Sequence, residues 1–569
     1  MGRDLTLGIE EVYAERLDFL VVALTGRTGS GCSTTAEAMT RSISDLPVST
    51  DGLAGAELRK FNICHNFLRA QWVPFKAISV STVIFSFLIL EEWGQIEDFF
   101  KKQKLEASIA AIKSEYQLLH AEPTFPAFEQ LSVKHDRAGS VLAWQFYEKP
   151  LKDSADRIRA ALGNKYAPLF QTLGDNIRLS GSAISSVVNP SKVFALITRV
   201  KRIVKAAGLW DRANGTKSTR VVIDAVRNPL ELVYLRDQFA AFFAIAVTSD
   251  DEDRKARLAN LSIPKRDVDA LDVREYSKKS LGNYGNFVSQ NLQECIQKAD
   301  LFFRNPGKPD AFARTRLILY RQIVRYVALM LRPGLVTPTP DERCMQLAFV
   351  AKLNSGCISR QVGAAVSDAH SSIKAVGWND VPKGQVPCLL RDVGTLLNSH
   401  DALAFSEYET TNVEFRRHLS KKFEHAGPLK TALGLPCPFC FKDAYNTVTD
   451  KENQVHTRSL HAEENAFLQL AKYGNSGIEG GFLYTTASPC ELCSKKAFQL
   501  GIREIVYVDP YPGISTTHVL KSGPEENRPI LRLFSGAVGN AYHRLYEPML
   551  PIKDEYMARL ADDPAPTLL

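Results

Sequence analysis

The chain has 569 residues, 45% hydrophobic and 23% charged, which excludes a disordered or collagen-like protein and calls for at least two folded domains. Its formal charge of +7 is mild for this length, and Lys and Arg are interspersed with Asp and Glu, so charge does not argue for nucleic-acid binding. Ten cysteines are too few for a disulfide scaffold, yet seven of them (Cys344, Cys357, Cys388, Cys437, Cys440, Cys490, Cys493) follow residue 340, two pairs in CxxC spacing, which suggests metal in a reducing cytosol.

The N-terminal MGRDLTLGIEEVYAERLDF carries five acidic residues and no apolar h-region, unlike a secretory signal, so a cytoplasmic location is expected. LDFLVVAL (17–24) reads as a strand, TGRTGSGCST as a glycine loop and TAEAMTRSI as a helix. The most apolar run, ISVSTVIFSFLILEEW (78–93), is shorter than the roughly 20 residues of a spanning helix, which predicts a buried element and no membrane partner. TRVVIDAVRNPLELVYLRDQF repeats the strand-then-helix rhythm and FFAIAVTSD adds a buried strand, together implying a parallel sheet with helices on both faces. AFARTRLILYRQIVRYVALML has helical periodicity and ends at RPGLVTPTPDE, where Gly and Pro punctuate the chain. Beyond it ERCMQLAFVAKL reads as a helix, RQVGAAVSD and SIKAVGWND as paired strands, and HAEENAFLQLAKY as a helix opening on a histidine. Strand GGFLYTTA, helix CELCSKKAFQLG and strand REIVYVDP follow. Between 390 and 458 lies a long polar insertion with no clear period, containing LPCPFC, of the kind that is functional or separately braced.

His461, Cys490 and Cys493 can hold Zn²⁺ with a fourth position open, as a catalytic zinc requires. Metal-bound water ionises near neutral pH, and Glu463, two residues after the histidine and not needed as a ligand, can move its protons. Cysteines at a helix start also meet the positive end of the dipole, which favours thiolate. CxxC alone would read as a closed zinc knuckle. With Glu463 in register and Pro489 before the pair, the pattern is the H-x-E…P-C-x-x-C of zinc nucleobase deaminases.

GRTGSGCS (26–33) fits the phosphate loop G-x-x-x-x-G-K-[ST] except that Cys32 stands where Lys should be. Gly26, Gly29, Gly31, Cys32, Ser33 and Thr34 are the nucleotide-binding candidates, with Asp224 after an apolar strand as the acid for an accompanying Mg²⁺. The backbone can still cradle phosphate, but the cation that stabilises transferring charge is missing, which argues for binding over catalysis. DDEDRKARL (250–258) supplies arginines that resemble the lid of nucleoside monophosphate kinases; a glycine turn in an unrelated α/β fold is the alternative.

CISRQVGAAVSD, GWNDVPKG, TRSLHAEENA, LYTTASPCELC and IREIVYVDPYPG, in this order over about 341–513, resemble the deoxycytidylate deaminase family. The resemblance implies that Asn379 contacts the nucleotide sugar, that Tyr507 lies near the base, and that Arg360, Lys383 and Arg458 are candidates to face phosphate. It also implies a second, structural zinc drawn from Cys357, Cys388, Cys437, Cys440 and His456, five candidates for four positions, with a buried free thiol the alternative for Cys357. With a P-loop-kinase-like domain in front and the tail RPILRLFSGAVGNAYHRLYEP, the chain resembles bacterial anti-phage deoxycytidine nucleotide deaminases. That resemblance implies conversion of dCTP and dCMP to uracil nucleotides during infection, and restraint by an inhibitory small RNA.

The expected organisation is α/β throughout. A P-loop nucleotide-kinase-like parallel sheet with helices on both faces takes 1–310 and a helical linker 311–340. A cytidine-deaminase-like three-layer α/β/α domain takes 341–550 with its insertion at 390–458, and a tail takes 551–569. The expected function is zinc-dependent hydrolytic deamination of free deoxycytidine nucleotides by a homo-oligomer whose N-terminal domain binds a regulatory nucleotide. A housekeeping dCMP deaminase, a polynucleotide editor of cytosine or adenine, and a non-catalytic nucleotide sensor are the alternatives. Intact Glu463 argues against the sensor, and the absence of a dense basic patch against the editor.

Overall fold

In the computed structural model, which describes residues 2–132, 137–260, 263–276, 284–307, 312–399, 401–424, 433–474, 477–509 and 515–561, the apolar runs of the first half form a parallel sheet. Its strands are β1 (Phe19–Thr25), β2 (Lys76–Ser79), β3 (Thr219–Asp224), β4 (Phe242–Thr248) and β5 (Leu301–Arg304), in the order β5-β4-β1-β3-β2. Every pairing among them is parallel. β4 is buried along its whole length and β1 nearly so, as near-continuous apolar runs demand when helices cover both faces. Between β3 and β4 the chain crosses over β1, which opens a crevice at the carboxyl ends of β1 and β3. The apolar run at 78–93 is not one element: its start completes β2 and Val80–Leu88 turns into a buried helix.

The chain divides into two units, Met1–Thr337 with Asn540–Leu569, and Pro338–Gly539. Helix Phe312–Leu331, read from the sequence as part of a linker, lies in the first unit. So does helix Asn540–Tyr546, which the sequence reading grouped with the second. Its Arg544 donates to the carbonyls of Phe242 (2.9 Å) and Ala240 (2.8 Å), and Leu545 accepts from the N–H of Gly334 at 2.9 Å. Farther on, Glu555 in helix Ile552–Ala561 is buried, accepting from Tyr13 (3.1 Å) and Arg332 (2.5 Å).

The second unit holds a mixed sheet of β6 (Gly363–Ser367), β7 (Ile373–Trp378), β8 (Phe482–Thr485), β9 (Glu504–Tyr507) and β10 (Ile530–Leu533), ordered β10-β9-β8-β6-β7. β6 runs antiparallel to β7 and β8, while β8, β9 and β10 are parallel. β10 falls in the stretch read from the sequence only as a C-terminal resemblance, because four residues with Arg in the middle carry no strand period. Helices Ala462–Tyr473 and Glu491–Gln499 pack on one face through Ala462, Ala466, Leu470 and Ala497 against Val366, Leu483 and Ile505. On the opposite face, the Tyr484 hydroxyl donates to Asp341 of helix Pro340–Ala351 (3.0 Å). A Cβ at Gly377 would lie 2.4 Å from the Ala462 carbonyl and 2.5 Å from the Ala466 nitrogen, so the bare backbone lets helix Ala462–Tyr473 sit directly on β7. Asn465 fixes the contact, donating to the Trp378 carbonyl at 3.0 Å.

The insertion at 390–458 is a small helical subdomain. Helices Val393–Asn398, Glu407–Thr411, Val413–Lys422 and Phe441–Thr449 enclose Val393, Leu396, Phe405, Phe415, Leu419 and Phe439. Three of them are started by side chains, Asp392, Ser406 and Asn412, that accept from the N–H groups of the first turn. Helices this short show too few turns for a period to be read from sequence. Among the described residues no helix is long and apolar enough to cross a membrane.

Candidate functional site

Two helix starts and the end of one strand build the site in the second unit. His461 is the N-cap of helix Ala462–Tyr473, and Cys490 is the N-cap of helix Glu491–Gln499, with Cys493 in that helix's first turn. Nδ1 of His461 lies 3.3 Å from Cys490 Sγ and 3.5 Å from Cys493 Sγ. Tetrahedral zinc, with bonds of about 2.0 Å to nitrogen and about 2.3 Å to sulfur, sets such ligand atoms about 3.6 Å apart, so the three residues fit that ion. Among the described residues they are the one trio of such donors within mutual reach.

Their acidities follow from the same contacts. A hydrogen bond from Cys493 holds the Cys490 thiol far below its ordinary range, at about 4, with His461 adding to the effect, while Cys493 is pushed up in turn. The hydrogen bond with Cys490 raises the His461 imidazole. Glu463, 3% exposed in the first helical turn, accepts from Thr485 Oγ1 at 3.3 Å, and burial raises its carboxyl above the usual range. Thr485 ends β8 on the face that carries helix Ala462–Tyr473. Nothing in a threonine at a strand end marks it; its place just upstream of Pro489-Cys490 is the one cue.

The other sequence candidates are placed less uniformly. Asn379 is buried, and its side chain already spans backbone: Oδ1 accepts from Val362 N–H and Nδ2 donates to the Arg360 carbonyl, both at 2.7 Å. Arg360 pairs with buried Asp509, at the end of the segment that begins with β9. Tyr507, the last residue of β9, is half-buried beside Thr485, and Lys383 is exposed. Arg458 is turned into the insertion, where it shares the buried Glu409 with Arg391, donating at 3.0 Å. That engagement is the physical reason it is not displayed as a free phosphate contact. Residues 510–513, which close the last quoted resemblance segment, lie outside the described residues.

Of the candidates for a second zinc, Cys388 lies close enough to Cys357 and to Cys440 for their charges to act on one another. Cys357, Cys388, Cys437, Cys440 and His456 form no trio of donors at bonding reach among the described residues. His456 lies against Tyr445 with ring centres 4.2 Å apart and planes tilted by 47°, and the Cys437 N–H donates to Asp392 at 2.9 Å. Burial raises both Cys388 and Cys440, the latter to about 11.

In the first unit, Gly31 takes φ +109° immediately before helix Cys32–Thr40, a conformation an L side chain resists. Gly26, Gly29 and Thr34 lie in or beside the same turn. The Cys32 thiol is buried and pushed up to about 12, first by desolvation and then by Asp224, so it carries no charge toward a ligand. Ser33 Oγ donates to Asp224 Oδ2 at 2.8 Å across the crevice between β1 and β3. The arginines of 250–258 are spent on the loop itself: Arg254 donates to the Thr28 carbonyl (3.1 Å) and Arg257 to that of Gly29 (3.2 Å).

A family model described as the cytidine and deoxycytidylate deaminase zinc-binding region matches residues 338–509. The deoxycytidylate deaminase of Enterobacteria phage T4 is 31% identical over 173 residues, 29% of this chain and 76% of that protein. That of Schizosaccharomyces pombe is 28% identical over 185 residues, 32% of this chain and 41% of its own. A crystal structure of dCMP deaminase from the cyanophage S-TIM5 in apo form, 22% identical, matches 35% of this chain and 100% of that one with a TM-score of 0.20. A histidine and a CxxC pair gathered at two helix starts beside a buried glutamate, within a span of that similarity, mean that the chain belongs to the cytidine and deoxycytidylate deaminase family.

Proposed function

We propose that this protein hydrolytically deaminates free deoxycytidine nucleotides, dCMP and dCTP, to the uracil nucleotides. The observation that carries the reading is the His461–Cys490–Cys493 trio with Glu463 buried at the same helix start. A zinc ion held by the trio would supply a water ionising near pH 7. Glu463, whose carboxyl holds its proton above the ordinary range, takes a proton from the attacking water and delivers it to the ring nitrogen N3. It then serves the amino group as the C4–N bond breaks and ammonia leaves. Thr485 holds the carboxyl in place.

The first unit supports a regulatory reading. Its strand order, with the glycine loop and Asp224 meeting in the crevice where chain direction reverses, is the place where open α/β sheets bind nucleotides. Cys32 in place of Lys argues that it binds without transferring phosphate. The resemblance to bacterial anti-phage enzymes supports a role in depleting deoxycytidine nucleotides in the cytoplasm, in a homo-oligomer restrained by a small RNA.

The test is to incubate purified, zinc-loaded protein with dCMP, dCTP, CMP, CTP and a single-stranded DNA oligonucleotide and to assay uracil products. Formation of dUMP and dUTP is expected. Uracil in the oligonucleotide alone would make it an editor, and no product from any substrate would overturn the enzymatic reading.

A further inference from the structure

Beside the glycine loop of the first unit, a carboxylate occupies donors that suit a phosphate. Glu275, near the end of helix Lys265–Tyr276, is 3% exposed. It accepts from the Thr28 backbone N–H at 3.3 Å and from Thr28 Oγ1 at 2.5 Å. Arg227 completes the arrangement, donating through Nη1 to Glu275 Oε1 (2.6 Å) and through Nη2 to Thr28 Oγ1 (3.1 Å). Thr28 belongs to the loop, whereas Arg227 lies just beyond β3. Between Asp224 and Arg227 the backbone kinks: Ala225 takes φ +69°, rare for a residue with a side chain, and Val226 N–H returns to the Leu24 carbonyl at 2.9 Å. That kink holds the Arg227 segment against the end of β1, next to the loop.

A loop N–H, a hydroxyl and a guanidinium form a donor set that takes phosphate oxygens as well as a carboxylate. Other arginines near the loop face its carbonyls and neighbouring acids: Arg27 pairs with Asp251 and Asp272, Arg254 binds Thr28 O, Asp251 and Asp272, Arg257 binds Gly29 O and Asn305 O, and Arg159 acts on Asp224. Cys32 supplies no cation where the phosphate-loop lysine would stand. Arg227 is the guanidinium that donates to the Thr28 hydroxyl, and Glu275 now holds it.

We infer that Glu275 is an internal competitor for the anion seat of the glycine loop. The phosphate chain of a nucleoside triphosphate takes over Thr28 and Arg227 by displacing the Glu275 carboxylate, and so frees the end of helix Lys265–Tyr276. This rests on the nucleotide-binding reading of the first unit. A ligand that must displace an internal group binds with reduced apparent affinity, and removing the competitor restores it.

The experiment is calorimetric titration of the full-length protein with inorganic tripolyphosphate, in wild type, Glu275→Gln and Arg227→Gln, with hydrogen-exchange mass spectrometry of the same samples. Glu275→Gln is expected to bind about tenfold more tightly or better, and Arg227→Gln about tenfold more weakly, the scale of one charge-assisted hydrogen bond. Tripolyphosphate is expected to speed amide exchange across 265–276 in wild type. Equal or weaker binding by folded Glu275→Gln, or unchanged exchange across 265–276 in ligand-bound wild type, would make Glu275 a structural clasp and overturn the inference. If Glu275→Gln does not fold, the wild-type exchange measurement decides alone. Binding to neither protein overturns the competitor and the nucleotide-binding reading together, whereas equal binding to both removes the competitor and leaves that reading standing.

Discussion

Glu463 and Asn379 are both buried polar side chains of the second unit, yet their hydrogen bonds give them different work. Glu463 accepts only from the Thr485 hydroxyl and its own backbone N–H, and ties no other segment in place. Glu463→Gln is expected to lower kcat by about 10²–10⁴-fold, the range of general acid–base catalysis, with zinc content unchanged. Uracil-nucleotide formation and elemental analysis on one preparation check both halves. Asn379 has an oxygen and a nitrogen committed to the backbone of 360–362. Asn379→Ala takes the partner from a half-buried N–H and a half-buried carbonyl, and should destabilise the second unit by about 1 kcal/mol, read as a lower urea midpoint. The closeness of His461, Cys490 and Cys493 was legible in the sequence because a CxxC pair and an H-x-E each lie within one helix start, where spacing alone fixes geometry. Thr485, Asp509 and Glu409 were not, since each acts on a residue far away in the chain: Glu463, Arg360 and Arg458. The same distance explains Arg458, whose guanidinium looked available until Glu409 claimed it.

At the scale of elements, strands and helices with several turns announced themselves, and short pieces did not. β1 and β4 are apolar up to a closing threonine, β3 has the β-branched VVI at its centre and helix Ala462–Tyr473 a clear period, whereas β10 and the helices of the insertion are too brief to carry one. What braces the insertion is equally invisible in one dimension: Glu409 lies between Arg391 and Arg458, with Arg391 1% exposed. Glu409→Ala strands two cations in a small core and is expected to cost about 3–5 kcal/mol, the usual penalty for breaking a buried pair from one side. Earlier loss of protection at 393–449 in hydrogen exchange would report it. Gly377 makes a matching prediction for the sheet. A methyl there meets backbone, which cannot rotate away, so Gly377→Ala should push helix Ala462–Tyr473 off β7. A destabilisation of about 1–3 kcal/mol is expected, with reduced zinc retention against a chelator, because the helix carries His461 at its start.

For the whole molecule, the segments Met1–Thr337 and Asn540–Leu569 share the first unit. Buried Glu555 joins them: despite the opposing effect of burial, hydrogen bonds from Arg332, Arg559 and Tyr13 hold its carboxyl below its ordinary value. A carboxyl depressed on folding adds stability above its unfolded pKa and loses it as pH falls through the folded one. Glu555→Gln should therefore lower the melting temperature of the first unit at pH 7, and weaken its dependence on pH below 4.5, the value from which Glu555 is shifted. Differential scanning calorimetry across that range checks the sign. The return of the chain at Asn540 also fixes an order of assembly on the ribosome. Translation at about 5–20 residues per second takes roughly tens of seconds to cross Pro338–Gly539, and through that interval the first unit waits for its last helices. Because Arg544 and Glu555 follow Pro338–Gly539 in the chain, the first unit gains their bonds to Phe242, Ala240, Tyr13 and Arg332 only after that whole segment has been synthesised.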